Sequence, residues 1–498
     1  MDRRHFLASS VAAAVAVSLP FGRLLAAGRS VPVAADIAAV TGGGATVTLE
    51  KAALQELRDS LRGALLFAGD PGYDEARRVL NESINRHPAL IVQPTGVADI
   101  RSAVTFARER ELLLAVKCGG HSTSGKSTCE GGMQIDLSRY RGVRADPVSR
   151  RAYAAGGSLL GELDHEAMAF GLVTTAGTVS HTGIGGLTLG GGFGRLARRF
   201  GLALDNVRAV DIVTADGRLL HAGARENKDL YWGVRGGGGN FGIVTGFDFG
   251  LHPMQSQVTG GDMIFPIARA RELLEFYGDF STNAPDELYA DCFMAAPIGG
   301  KPGVFGISVC YSGPAEQAEQ VLAPLRKLGT PIADTIKTQD YVAIQRSSDR
   351  TDPRNEGAYM KEGFIHDFQG SMVSKLLDGF QQDPGRGTVV YFQHAGGAIN
   401  RVAPEATAFA HREVRHGMFS VVSWKLDSDP APHIRYVKDY WATLDPYTRG
   451  HYTNSIGDEP QKLVSDNYGI ALPRLRQLKK KYDPGNLFRL NANIEPSV

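Results

Sequence analysis

The chain has 498 residues, of which 43% are apolar, so it can bury a large core and is expected to form more than one domain. Its 54 Lys and Arg residues balance 53 Asp and Glu residues, and the formal net charge is +1. This balance argues against a nucleic-acid-binding surface and against a polyanionic substrate. No uncharged apolar run of about 18 residues occurs in the body of the chain, so no membrane span is expected there.

The N-terminus has the layout of a cleavable export signal. Arg3 and Arg4 precede an Ala- and Val-rich stretch that ends at Pro20, and small residues follow. Paired arginines are typical of the twin-arginine route, so residues 1–27 are predicted to be a signal peptide read by the twin-arginine export machinery. The mature protein would then be periplasmic or secreted, with no membrane attachment. A short apolar helix or anchor is the alternative.

A strand–helix–strand unit is the clearest element of the first half. Residues 89–94 form an apolar run stopped by proline, residues 97–110 place apolar side chains on one helical face, and residues 112–116 are again β-type. Upstream, residues 54–61 and 73–85 are expected to be helical. Phosphate sites commonly occupy the carboxyl ends of strands in such units.

A glycine-rich loop with one histidine, residues 117–125, follows this unit. Small residues let the backbone approach a ligand and direct several N–H groups to one point, which suits an anion such as a pyrophosphate. The candidate anion-binding residues are Gly119, Gly120, Ser122, Thr123 and Gly125. His121 is the bulky residue of the loop, and its place beside an anion site indicates a role other than packing. An ordinary solvated turn is the alternative.

A second glycine-rich run, residues 177–194, contains a pattern that mimics a dinucleotide fingerprint. Gly192-Phe193-Gly194 begins a G-x-G-x-x-A match, and Asp211 follows about 20 residues later. The fingerprint requires an apolar strand directly before it, whereas residues 182–192 include six glycines. Asp211 also lies in a predicted hairpin around Asp216-Gly217. A nicotinamide site is therefore not expected.

The composition of the chain changes near residue 255. Glycine clusters become fewer there, and predicted strands alternate with predicted helices. The strand candidates are 289–294, 304–311, 389–393 and 418–424, and the helix candidates are 267–280 and 315–328. This pattern predicts an α+β unit with a mainly antiparallel sheet over residues 256–460. Residues 461–498 form a last segment, with a helix at 475–482 that Pro484 stops.

Four cysteines are too few for a disulfide scaffold in a chain of this length, and their spacing fits no common zinc pattern. They are Cys118, Cys129, Cys292 and Cys310. Cys118 and Cys129 flank the histidine loop and could pair in an oxidising compartment. Buried free thiols are nevertheless expected, and no metal site is predicted.

The two glycine-rich runs together resemble the FAD-binding domain of the vanillyl-alcohol oxidase and p-cresol methylhydroxylase (PCMH) superfamily, in its berberine-bridge-enzyme-like branch of FAD-linked oxidases. The resemblance is strong over residues 84–255 and moderate over 440–495. It implies an α+β fold with a PCMH-type FAD-binding domain at 28–255, whose core is 84–255. A substrate domain at 256–460 would place its antiparallel sheet opposite the flavin, and residues 461–498 would return to the FAD-binding domain.

The resemblance implies that FAD is the cofactor and that His121 holds it through a single covalent bond to the flavin 8α-methyl group. Many members add a second bond through a cysteine, but Val179 stands at that position here and residues 130–291 contain no cysteine. Thr182 corresponds to the position that gates oxygen, where a small residue favours O2. The further cofactor-binding residues implied are Thr178, Gly183, Gly186, Gly190, Gly191, Asn240, Gly242, Ile243, Val244, Asn491 and Asn493.

Tyr452-Thr453-Asn454 resembles the family's Tyr-x-Asn motif, whose tyrosine takes the substrate proton. In a strand Tyr452 and Asn454 would share a face, and both are predicted to be catalytic. A phenol with an ordinary pKa of about 10 needs a special environment to act as a base, so a tyrosine that only packs and binds substrate is the alternative. Members with a carboxylate base have it on the strand that here is 418–422, which contains no acid. Other candidate pocket residues are Gln393, His394 and Trp424.

The sequence therefore predicts an FAD-dependent oxidase that takes a hydride from an alcohol or amine carbon and reduces O2 to hydrogen peroxide. Its partners would be a small-molecule substrate and O2. A flavin dehydrogenase with another electron acceptor and a flavin-bearing binding protein without turnover are the alternatives. The pocket falls where the resemblance is weak, so aromatic and aliphatic alcohols, sugars, alkaloid-type amines and polyketide glycosides all stay open as substrates.

Overall fold

The computed structural model describes residues 32–351 and 356–497. The predicted signal peptide, residues 1–27, lies outside the described residues. None of the described helices is long and apolar enough to cross a membrane. The predicted α+β class is confirmed, because helices pack on several separate sheets and the largest sheet is antiparallel.

A four-stranded sheet supports the histidine loop. Its strands, in spatial order, are Ala64–Leu66, Leu90–Gln93, Met133–Asp136 and Leu114–Lys117, of which the last three run parallel. The helix Val97–Glu109 packs here through buried Ile100, Val104 and Ala107. These three share one face because a helix repeats every 3.6 residues, and burying that face fixes the helix on the sheet. The predicted strand–helix–strand unit is confirmed.

A five-stranded antiparallel sheet forms the other half of the first domain. Its spatial order is Leu219–Gly223, Val207–Val213, Ile243–Gly250, Arg151–Ala155 and Val143–Asp146. The first two strands form the predicted hairpin. Asp211 lies in this hairpin, and its Oδ1 is 2.8 Å from Nδ1 of the exposed His221. Asp211 is therefore part of an antiparallel surface hairpin and not of a dinucleotide fingerprint.

An eight-stranded antiparallel sheet dominates the second half. Its order is Ala333–Asp334, Gln257–Pro266, Val304–Tyr311, Leu288–Ala296, Gly387–His394, His416–Lys425 and Glu356–Ile365, and Lys337–Asp340 also pairs with Gln257–Pro266. The four predicted strands are confirmed within a few residues. Gln257–Pro266 and Glu356–Ile365 were not predicted, because glycines and charges interrupt their apolar alternation. The predicted helices occur as Ala270–Thr282 and Ala318–Arg326.

Further strands and α-helices occur along the described chain. The remaining strands are Ile37–Val40, Thr46–Leu49, Leu172–Val173 and His252–Pro253. The remaining α-helices are Lys51–Ser60, Tyr73–Arg77, Leu160–Met168, Ile184–Gly190, Ala197–Phe200, Lys228–Val234, Tyr341–Ser347, Gly370–Gly379, Ala431–Leu444, Gln461–Asp466 and Leu472–Tyr482. The helix predicted over 73–85 is wrong beyond Arg77. Asn81 there donates to the carbonyls of Thr123 and Ala358, which holds the segment in an irregular path.

A buried lysine fastens the C-terminal segment to the first domain. Lys479 has no solvent exposure, and its ammonium group donates to the carbonyls of Asn240 and Phe488 and to the carboxylate of Asp483, at 2.7–2.9 Å. Asp483 in turn accepts from the backbone N–H groups of Leu487 and Phe488. A buried charge is tolerated when it is paired and hydrogen-bonded in this way.

We expect Lys479→Ala to lower the free energy of unfolding by about 3–5 kcal/mol, because it leaves the Asp483 carboxylate buried without its counter-ion. Lys480→Ala, on the exposed side of the same helix, should change it by less than about 0.5 kcal/mol. Denaturant unfolding of both variants checks this. Equal stabilities would contradict the proposed anchoring role of Lys479.

Candidate active site

A cavity of about 390 Å³ lies where the two glycine-rich runs, the Tyr452 segment and the C-terminal segment meet. Its volume falls in the range of small-molecule and cofactor sites. The predicted residues that line it are Gly119, Gly120, His121, Ser122, Thr123, Thr182, Gly183, Gly186, Gly242, Ile243, Val244, Tyr452, Asn454 and Asn491. Residues from five separate stretches of the sequence therefore meet at one site.

Two glycine loops form one wall by direct backbone contact. A Cβ atom on Gly119 would lie 2.3 Å from the backbone N of Gly183, and one on Gly183 would lie 2.4 Å from Cys118 Sγ. Only glycine fits at either position. The Cys118 thiol is enclosed here, and burial raises its pKa to about 11. All four cysteines are free thiols, as expected, and Cys118 does not pair with Cys129.

His121 stands on the cavity wall as one half of a histidine pair. Its Nε2 lies 2.7 Å from Nδ1 of His181, and its Nδ1 lies 3.3 Å from Oγ1 of Thr182. A proton shared by the two rings can reside on His121 Nε2, which leaves Nδ1 of that ring with its lone pair. His181 lies in the predicted glycine-rich run, directly before Thr182, but sequence reasoning did not single it out.

Tyr452 and Asn454 lie together, but the strand predicted for them is wrong. Thr453–Ser455 form a turn of 3₁₀ helix, in which Asn454 Nδ2 donates to the Tyr452 phenol oxygen at 2.8 Å. The backbone N–H of Gly192 donates to the same oxygen at 3.0 Å. Burial nevertheless raises the pKa of Tyr452 to about 12, so the environment does not lower the phenol's pKa as a base requires.

Several predicted cofactor residues support the wall from behind and do not line the cavity. Gly190 and Gly191 give room to the side chains of Asn454 and Tyr452, which a Cβ at either glycine would crowd. The side-chain amide of Asn240 donates to the Ala492 carbonyl and accepts from the N–H of Ile494, which holds the C-terminal segment in place. The others outside the lining are Gly125, Thr178, Val179 and Asn493.

The three other pocket candidates do not line this cavity either. His394 is on the helix-covered face of the large sheet, where Nε2 donates to the Ser281 carbonyl, and burial holds its pKa well below the ordinary range. Trp424 stacks on His433 beneath the same face. Gln393 is buried on the opposite face, away from the cavity lining. Successive side chains of a strand point to opposite faces of the sheet, so a difference of one residue moves a side chain to the other face.

The features of the cavity fit FAD. Lys126, which sequence reasoning missed, lines it with an ammonium group that can face a phosphate. The buried Oδ1 of Asn491 has no hydrogen-bond partner among the described residues and can accept from a ligand N–H. Gly186 and Gly239 face open space, so the cavity lies against bare backbone there. Glycines and small hydroxyl residues at 119–123 suit the pyrophosphate.

Comparison with known proteins gives consistent matches. Residues 88–223 match a family model described as an FAD binding domain, and residues 455–495 match one described as berberine and berberine-like. An FAD-linked oxidoreductase of Dictyostelium discoideum is 32% identical over 449 residues, which cover 89% of this chain and 97% of that protein. (R)-6-hydroxynicotine oxidase of Paenarthrobacter nicotinovorans is 28% identical over 458 residues, covering 88% and 97%.

Solved structures agree with the sequence matches. The crystal structure of 6-hydroxy-D-nicotine oxidase from Arthrobacter nicotinovorans has a TM-score of 0.82 at 26% identity and covers 88% of this chain and 99% of that one. The fold and the site thus define an FAD-linked oxidoreductase with a PCMH-type architecture. The chain belongs to the berberine-like family of these enzymes.

We expect Gly186→Leu to weaken flavin binding at least about tenfold, because the added side chain enters the cavity and about 1.4 kcal/mol of overpacking raises the dissociation constant by that factor. The thermal unfolding of the apoprotein should stay close to that of the wild type. Gly370→Leu, where a Cβ also meets nothing within 4 Å but which lies outside the cavity, is the control. The flavin-to-protein absorbance ratio measures the effect, and equal ratios in both variants would contradict it.

Proposed function

We propose that the protein is an FAD-dependent oxidase whose flavin is bound covalently to His121. It would take a hydride from an alcohol or amine carbon and reduce O2 to hydrogen peroxide. The observation that supports this best is the meeting of His121, whose ring contacts His181, with Tyr452 and Asn454 at one cavity. FAD supplies the hydride acceptor and the reaction with O2; the protein residues supply binding, orientation and proton transfer.

The local chemistry supports the proposal of a single covalent link at His121. A histidine can form a bond to carbon only through a nitrogen that has a lone pair. When the proton between the two rings resides on Nε2 of His121, Nδ1 of that ring keeps its lone pair and is available. Val179 has no nucleophilic atom, and Cys118 is a half-buried thiol whose raised pKa keeps it protonated. These features support one link and not two.

Tyr452 is proposed to orient the substrate and to accept its proton. The two N–H donors on the phenol oxygen, from Gly192 and Asn454, stabilise a phenolate if one forms. Because the pKa is about 12, the phenolate fraction at neutral pH is small and grows with pH. Turnover limited by this base would therefore rise tenfold per pH unit until the phenol is ionised. Thr182, at the cavity beside His121, is proposed to leave O2 access.

Export is part of the same proposal. Residues 1–27 would direct the folded, flavin-loaded protein through the twin-arginine machinery to the periplasm or medium. A covalent bond would keep the cofactor attached where it cannot be replaced.

Acid-precipitated wild-type protein should remain yellow and should fluoresce under ultraviolet light on a denaturing gel, whereas His121→Ala should release its flavin. The covalent bond is the only attachment that survives denaturation. His87→Ala, whose side chain is half-exposed, is the matched control and should keep its fluorescence. Fluorescence that persists in His121→Ala would reveal another attachment site.

Tyr452→Phe should lower kcat/KM by about 10² to 10⁴ while keeping the covalent flavin, because only the proton acceptor is removed. The rate of peroxide formation with a panel of alcohols and amines measures kcat/KM. Tyr153→Phe, at an exposed tyrosine, is the control and should match the wild type. Reduced wild-type flavin that reoxidises slowly in air but rapidly with a quinone would favour the dehydrogenase alternative. Ligand binding with no flavin reduction would favour a binding protein.

A further inference from the structure

Glu362 is a buried carboxylic acid on the edge strand Glu356–Ile365 that sequence reasoning did not identify. It is 5% exposed and pairs directly with Phe419 on the next strand. Phe419 pairs with Tyr391, and Tyr391 pairs with Phe293, so the four side chains form a row across the large sheet. Phe293, Tyr391 and Phe419 are all partly exposed, whereas the residues on the helix-covered face are buried. Glu362 thus ends an aromatic row on the face away from the helices.

The carboxylate of Glu362 is bonded to the Tyr452 segment. Its Oε2 accepts from the backbone N–H of Tyr452 at 2.6 Å, and its backbone carbonyl lies 2.7 Å from Nδ1 of His451. Its Oε1 is buried and has no hydrogen-bond partner among the described residues. A Cβ on Gly417 would lie 3.8 Å from Oε1, so the second oxygen points to a place where the neighbouring strand has no side chain. A buried polar atom without a partner costs free energy, so its presence needs an explanation such as a functional role.

We propose that Glu362 is a positioning residue of the reaction, which fixes the backbone of Tyr452 through one oxygen and controls the ionisation of the Tyr452 phenol through its charge. This proposal rests on the proposed function of Tyr452 as the proton acceptor. The phenol itself is held from the other side by Gly192 and Asn454, so Tyr452 bridges the glycine-rich loop and the large sheet.

The surroundings of Glu362 determine the sign of this effect. Burial, with a smaller contribution from the charge of Glu459, raises the pKa of Glu362 to about 8. Glu459 is itself an anion paired with Lys361 at 2.7 Å. In the segment that contains Tyr452, His451 contacts the Glu362 carbonyl. His411 packs against Gly450 in the same segment. Burial lowers the pKa of His411, so that ring is neutral. Along the aromatic row, Asp291 is already bonded by Tyr289 and Tyr391.

The pH dependence follows from these groups. Below about pH 8 Glu362 is protonated and adds no charge; above it the carboxylate forms. This anion disfavours a phenolate nearby and is one of the causes that raise the pKa of Tyr452. The wild-type enzyme should therefore gain activity less steeply above about pH 8 than a single titrating phenol would.

Glu362→Gln separates the two roles, because its amide oxygen still accepts from the Tyr452 N–H but has no charge. We expect its kcat/KM above pH 8 to exceed the wild-type value by about three- to tenfold, with the profile shifted to lower pH by about half to one unit. Glu362→Ala also loses the hydrogen bond and should lower kcat about 10- to 100-fold at all pH values, since the phenol is misplaced. Glu356→Gln, on the same strand, is the control and should match the wild type.

A second measurement does not depend on turnover. The ultraviolet difference titration of each protein against the same protein with Tyr452→Phe reports tyrosinate formation at Tyr452 alone. We expect that signal to begin at lower pH in Glu362→Gln than in the protein with Glu362. If the tyrosinate signal shifts while the wild-type enzyme produces no peroxide, the proposed oxidase function is wrong. The electrostatic coupling between Glu362 and the Tyr452 phenol is then still supported. An unshifted signal would overturn the coupling, and a loss of activity above 100-fold in Glu362→Gln would make Glu362 the base and overturn the positioning role.

Discussion

The backbone contact between two glycine loops is the constraint on which the site depends. Gly119 and Gly183 meet so closely that neither position accepts a Cβ. This contact brings His121 on one loop beside His181 and Thr182 on the other. At Gly186 the second loop presents bare backbone to the cavity, which leaves open volume there for a ligand. Sterics at two glycines thus position both the histidine pair and the cofactor space.

The second organising feature is the bridge made by the Tyr452 segment. Gly190 and Gly191 leave room for Asn454 and Tyr452, and the Gly192 N–H holds the phenol oxygen. The backbone of Tyr452 is bonded to Glu362 on the large sheet. The proposed role of Tyr452 therefore depends on the register between the glycine-rich loop and the large sheet. A small shift of the sheet would be transmitted to the phenol through one hydrogen bond.

The parts of the structure that could be predicted from sequence have local signals. Turn residues at Asp216-Gly217 and the apolar periodicity of Val97–Glu109 are sufficient to locate a hairpin and a helix. Local sequence signals could not identify Glu362 as a buried residue. It follows Lys361, and two adjacent charged residues are typical of a solvent-exposed segment. Its burial follows from strand pairing with Phe419, a distant segment. His394 was misplaced for a related reason, since the face of a strand residue depends on register.

The cavity also sets an order of events during biosynthesis. Lys126 and Asn491 line the same space and are 365 positions apart, and the Lys126 ammonium donates to the Asn491 carbonyl. Lys479 and Asn240 both hold the C-terminal segment that contains Asn491. A nascent chain that has produced the histidine loop therefore lacks one wall of the cavity until nearly all later residues have left the ribosome. The complete cavity therefore forms late, after the C-terminal segment has packed beside the histidine loop.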